Sequence, residues 1–191
     1  GVRISSGWHQ DERINNVAEQ AGVLLDPRVS DAVKVIQRMG LSLDCWLYHT
    51  QLDELTQLAD AHPDLTIVLN HVGSPILGGP YRGRTDEVFE HWKVGIARAS
   101  ERQNVFVKLG AMPIRMPSYV GDRTLPPGSE EVSAAWRPWM ETCIEAFGVE
   151  RSMYESNFPV QKRWCSYRVC WNAFKRISAG ASVAEKAQLF A

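Results

Sequence analysis

An α/β fold built on a mainly parallel sheet follows from three observations on this chain. Five apolar, β-prone segments recur along it: Val2 to Ser5, Leu41 to Leu47, Thr66 to His71, Asn104 to Gly110 and Ser152 to Phe158. Between them lie segments of helical periodicity, and strands alternating with helices imply parallel pairing through right-handed crossovers. The apolar runs also close on polar residues, most abruptly in TIVLNHVGSP from Thr66 to Pro75. That is the pattern of a buried parallel strand carrying chemistry at its C-terminal end.

The elements follow in order. After the first strand, Ser30 is placed to cap a helix with Val33, Ile36 and Met39 on one face and Gly40 as its stop. The second strand leads to a helix in which Leu52, Leu55, Leu58 and Ala59 mark the apolar face and Pro63 the end. The third strand ends in Asn70-His71 and a Gly/Pro-rich connection, after which Thr85 starts a helix carrying Phe89, Trp92, Ile96 and Ala99. Beyond the fourth strand, a helix containing Met140, Cys143 and Ile144 runs to Phe147 and Gly148. Pro138 leaves the start of that helix open, because proline suits a first turn and kinks an interior. Ser166 caps a helix along which Cys170, Phe174 and Ile177 line up, and Ser182 with Glu185 has the spacing of a capping box. The chain begins inside a strand and stops at Ala191 without a helix-ending glycine. Residues 1–191 are therefore expected to form a single domain truncated at both ends, with too few βα units for a closed barrel of about 250 residues.

With 191 residues, 45% of them hydrophobic, the chain is long enough to bury a core. Its 21 basic and 22 acidic residues give a net charge of -1 and no basic stripe, which argues against nucleic acid and membrane surfaces as partners. The longest uncharged stretch, Leu65 to Tyr81, is broken by Asn70, His71, Pro75 and Pro80 and is no membrane span. Cys45, Cys143, Cys165 and Cys170 have no zinc-ribbon spacing and suit reduced thiols in a cytoplasmic protein.

Parallel strands bring their C-terminal ends to one face, so Trp8 and His9, Tyr48 and His49, His71, Lys108, and Glu155 with Asn157 can share a pocket. His71 suits a zinc ligand through one ring nitrogen or a general base, against the alternative of a hydrogen-bonded strand end. Lys108 and Arg3 alternate with apolar neighbours and face the sheet interior, as cations for an anionic substrate or as an ion pair with Glu155 or Asp44. Two long connections, Gly73 to Asp86 and Ala111 to Ser129, form the rim and carry Tyr81, Arg82, Arg84, Arg115 and Arg123. Arg3, Trp8, His49 and Tyr81 are the candidate substrate-binding residues. His62 beside Pro63 reads as a helix-end cation, His91 as exposed on a helix, and His9 as a pocket or loop residue.

Taken together and in this order, TIVLNHVGSP, NVFVKLGA and IEAFGVERSMYESNFPV resemble the amidohydrolase-2 group of the amidohydrolase superfamily, TIM-barrel hydrolases that include sugar-lactone and dicarboxylate lactonases. The resemblance implies a (β/α)8 barrel, of which this chain carries about strands four to eight. It implies hydrolysis of a small anionic lactone, or a related ester or amide, by water attack, with a divalent metal, zinc foremost. His71 matches the family's strand-ending histidine, implying a catalytic role and metal ligation; Lys108 matches the lysine of its Val-Lys-Leu strand and Arg3 the arginine of its Gly-Val-Arg strand. Two departures matter. Nothing matches the family's His-x-His pair, and Asn157 stands where the family often has aspartate. Asparagine can orient substrate or water but takes no proton as a base, so either Glu155 or a metal-bound hydroxide takes that role or this branch uses a different chemistry. A metal-dependent decarboxylase of the same superfamily and a non-catalytic binding remnant are the alternatives.

Overall fold

The structure is a computed structural model and describes residues 1–112 and 126–191. Arg115 and Arg123 lie outside the described residues. Strands β1 (Val2–Ser5), β2 (Leu43–Trp46), β3 (Ile67–Leu69), β4 (Val105–Gly110) and β5 (Ser152–Glu155) form one sheet in the order β1-β2-β3-β4-β5, every pairing parallel. The alternation seen in the sequence sets its two faces. Leu43, Cys45, Ile67, Leu69, Val105, Val107 and Leu109 are at most 2% exposed and meet the helices, while Arg3, Asp44, Lys108 and Glu155 occupy the opposite parity and the other face.

Four strands are shorter than their apolar runs, β4 by only Asn104. The run from Thr66 to His71 is extended only over Ile67–Leu69, and that from Ser152 to Phe158 only over Ser152–Glu155, because His71 and Asn157 take φ of 58° and 51° and turn the backbone out of the sheet. The run from Leu41 to Leu47 likewise narrows to Leu43–Trp46.

The helices on the covered face are α1 (Pro27–Arg38), α2 (Leu52–Ala61), α3 (Thr85–Ser100), α4 (Ser129–Phe147), α5 (Tyr167–Ile177) and α6 (Val183–Leu189). Helix α1 corrects the expected cap: it starts at Pro27, and the Asp26 carboxylate accepts from the Arg28 N–H at 2.8 Å. Asp before a proline at the first helical position is the stronger start signal. Ser30 instead lies inside the helix with its hydroxyl 3.1 Å from Nε2 of His62, which is buried at the end of α2. Ser166 caps α5, and Ser182 with Glu185 makes the reciprocal capping box of α6. Pro138 is inside α4 rather than at its first turn.

Packing between helices and sheet rests on aromatic rings. Trp92 and Trp139 have centroids 4.7 Å apart, Phe89 meets Trp139 edge-on at 4.9 Å, and Tyr154 stacks on Phe174 at 4.6 Å. The four cysteines are free and buried, and burial pushes the Cys45 thiol up to about 12, far from a thiolate nucleophile. Among the described residues no helix is long and apolar enough to cross a membrane.

Candidate functional site

The chain leaves β3 through an unusual turn. His71, Val72, Gly73 and Ser74 all have positive φ, at 58°, 48°, 73° and 41°. Three of the four carry a side chain, and for β-branched Val72 the left-handed region is a genuine outlier. Tertiary contacts hold it there: Val72 is fully buried and its carbonyl accepts a 2.6 Å hydrogen bond from the Trp92 indole N–H. Backbone strain of this kind persists only where the surroundings over-determine it, and it gathers at functional sites.

Two carboxylates grip this turn, one from β2 beside it and one from β5, beyond β4. Oε1 of Glu155, at the end of β5, accepts the backbone N–H of His71 at 3.1 Å and lies against Nδ1 of the same ring. Oδ2 of Asp44, on β2, accepts from Asn70 Nδ2 at 3.0 Å, from Lys108 Nζ, and from Arg3 at 3.4 Å. Burial by itself raises the Asp44 carboxyl, but the hydrogen bonds from Lys108, Asn70 and Arg3 outweigh it and hold the group below the usual carboxylate range. Of the two counter-ions considered for Lys108 and Arg3, the structure selects Asp44, the direct register partner of Arg3.

A cavity of about 440 Å³ opens above these groups, lined among others by Arg3, Trp46, Tyr48, His71, Ser74 and Asn157. His71, Arg3 and Asn157 are thus brought together; Lys108 is not part of this lining and donates to Asp44 instead. Trp8 and Tyr81 line a separate hollow of about 270 Å³ with His9, Gln51 and Glu54. Gln51 ties down the segment that carries Trp8. Its side chain bonds the Trp8 N–H and the Ser6 carbonyl, each at 2.9 Å, and pulls the segment after β1 over the end of β2. A larger hollow of about 680 Å³, between β1 and α1, is lined mainly by apolar residues such as Val29, Val33 and Ile36, and of its charged residues Asp26 and Arg28 are paired with each other at 2.7 Å.

His49 belongs to neither cavity. It is 2% exposed, its Nδ1 accepts from the Ile76 N–H at 3.3 Å, and its ring packs edge-on against Tyr81 and His91. Burial, reinforced by His91 and His9, depresses its titration from 6.5 to about 4. An unfolded chain binds a proton at His49 below about pH 6.5 that the folded chain refuses until about pH 4, so stability falls as pH drops through that window. The expected loss from this group is about 2 kcal/mol between pH 7 and pH 5, read as a lower urea midpoint that a His49→Gln variant no longer shows.

Glu155 and Gln51 are the structural surprises. The sequence placed Glu155 at a strand end but gave no sign that it meets His71, and Gln51 carried no signal at all.

Comparison with known proteins bears on this arrangement. The family model described as Amidohydrolase matches residues 13–191. The uncharacterized protein y4mH of Sinorhizobium fredii (strain NBRC 101917 / NGR234) is 35% identical over 190 residues, covering 100% of this chain, which spans only 57% of that relative's length. Among solved structures, an amidohydrolase from Burkholderia multivorans with bound HEPES superposes with a TM-score of 0.76 at 22% identity, over 90% of this chain and 58% of that one. The zinc-bound form gives 0.75 at 21% identity, with the same 90% and 58% coverage. A Pseudomonas putida protein assigned as a 2-pyrone-4,6-dicarboxylic acid hydrolase gives 0.65 at 19% identity, over 99% of this chain and 59% of that one. At these identities the likeness is one of fold, and the five-stranded sheet is part of a TIM-type barrel.

Proposed function

Because this chain belongs to the amidohydrolase family, we propose that it supplies the catalytic end of a barrel hydrolase that opens a small, anionic lactone or a related ester or amide by attack of water. The observation that carries this reading is His71, set on a strained turn at the cavity wall with Nδ1 occupied by Glu155, so that Nε2 is the nitrogen left for a ligand. In this role Nε2 takes the proton of the attacking water. Arg3 keeps 49% of its side chain exposed and makes only a 3.4 Å contact to Asp44, so it is available to a carboxylate of the substrate. Asn157 lines the same cavity and offers both a donor and an acceptor to orient the carbonyl or the water. Lys108 acts at one remove, neutralising Asp44 and keeping the floor of the site from repelling an anion.

A catalytic zinc takes three protein ligands and leaves one position open. Among the described residues no group of three or more His, Cys, Asp or Glu side chains is placed to hold a metal, and His71 offers a single ring nitrogen. These residues do not by themselves fit a metal centre.

The reading is tested on the complete protein with sugar lactones and pyrone dicarboxylates in ¹⁸O-labelled water. Ring opening with one labelled oxygen in the new carboxylate supports it. Release of carbon dioxide without uptake of label marks a decarboxylase, and binding without turnover marks a binding remnant; either result overturns it.

A further inference from the structure

We propose that Glu155 is the positioning residue of this site: it fixes His71 as the Nδ1–H tautomer and so presents the Nε2 lone pair to the cavity. The inference rests on the reading of His71 as the group that works on substrate or water, and extends it to the residue that sets its chemistry.

Three observations carry the inference. First, one oxygen, Oε1, meets both the backbone N–H of His71, at 3.1 Å, and its Nδ1. A carboxylate oxygen only accepts, so the ring nitrogen facing it carries the proton, and in the neutral imidazole the other is the one with the lone pair. Second, the contact is enclosed, with side-chain exposures of 11% for His71 and 15% for Glu155. A hydrogen bond to a charged acceptor is worth more there than in water. Third, the sheet makes room for it. Gly110 is the register partner of Glu155, and a Cβ at Gly110 would lie 2.1 Å from the Glu155 carbonyl oxygen and 2.7 Å from its Cγ. Only glycine at this point of β4 lets the end of β5 approach so closely.

The inference also accounts for Asn157. Glu155 and Asn157 are two residues apart at the end of β5, and the acidic group sits at the first of them. In this chain the carboxylate reaches the histidine from within the strand, and Asn157, two residues on and already in the turn at φ 51°, is left as a neutral hydrogen-bonding group in the cavity wall. Acceptance of the proton falls to the imidazole, and the carboxylate orients the ring and stabilises the imidazolium that forms.

The test reads the tautomer directly, by ¹⁵N–¹H correlation of the His71 ring in the full chain at a pH where the imidazole is neutral, the signals being assigned by their loss in His71→Asn. The wild type is expected to show Nδ1–H. Glu155→Ala is expected to shift the population to Nε2–H, and near-isosteric Glu155→Gln to give a mixture while keeping the fold. In a turnover assay of the complete protein, Glu155→Gln is expected to lower kcat about 10- to 100-fold, a part of the contribution of the acid–base group it orients, with KM changed less than about twofold. Nε2–H in the wild type, or an unchanged tautomer in both variants, overturns the inference. Since the ring signals do not depend on turnover, the tautomer result stands even if the lactone assay fails, so the two readings fail separately.

Discussion

Replacement of His71 by asparagine is expected to lower kcat of the complete protein by about 10²- to 10⁴-fold, the contribution usual for a positioned acid–base group, while leaving the fold in place. Asparagine is chosen because His71 sits at φ 58°. Of the residues other than glycine, asparagine tolerates this region best, and its amide keeps a donor near Glu155. Alanine would remove that donor and leave the carboxylate facing an empty space, confounding a catalytic loss with a structural one. A change in unfolding free energy of no more than about 1 kcal/mol is expected for His71→Asn, measured by urea denaturation alongside turnover. Activity within tenfold of the wild type, with the fold intact, would remove His71 from the reaction.

Much of this site was written in the strand ends. The parity of Val107-Lys108-Leu109 and Val2-Arg3-Ile4 placed both cations on the inner face, and the structure agrees. Their counter-ion was not legible, because the choice between Asp44 and Glu155 depends on inter-strand register, which local pattern does not encode: Arg3 sits opposite Asp44, whereas Glu155 sits opposite Gly110. The division into two cavities was equally hidden. Trp8, His49, Tyr81 and His71 all follow strands, and local pattern does not show that Gln51 ties down the Trp8 N–H and the Ser6 carbonyl while His9 Nε2 meets the Tyr81 hydroxyl at 3.0 Å, so that Trp8 and Tyr81 share a hollow apart from His71. Helix starts were read well at Ser166 and Ser182, where the cap acts on its own helix. At Ser30 a competing start at Asp26-Pro27 lay just upstream.

On the helix side the strained turn after His71 is anchored by Trp92, and removing that anchor is expected to be the most destabilising change on the covered face. Trp92 is fully buried between Phe89 and Trp139, and its indole N–H holds the Val72 carbonyl at 2.6 Å. Trp92→Ala deletes a large core side chain and opens a cavity between α3 and α4, with an expected loss of about 3–5 kcal/mol. Trp92→Phe separates the two contributions. Most of the ring contact survives, but the Val72 carbonyl is left buried without its donor, with an expected loss of about 1–3 kcal/mol. The hydrogen bond matters beyond its own energy, since Val72 at φ 48° is strained and an unheld turn relaxes towards ordinary backbone. His71 is the residue immediately before it, so relaxation would draw the ring away from Glu155. Trp92→Phe is therefore expected to show both a lower urea midpoint and a weakened Nδ1–H signal from His71, although Trp92 lines neither the 440 Å³ nor the 270 Å³ cavity. A stability loss without any change in that signal would mean that packing around Val72 holds the turn by itself, and that the indole contributes to the core but not to the geometry of the site.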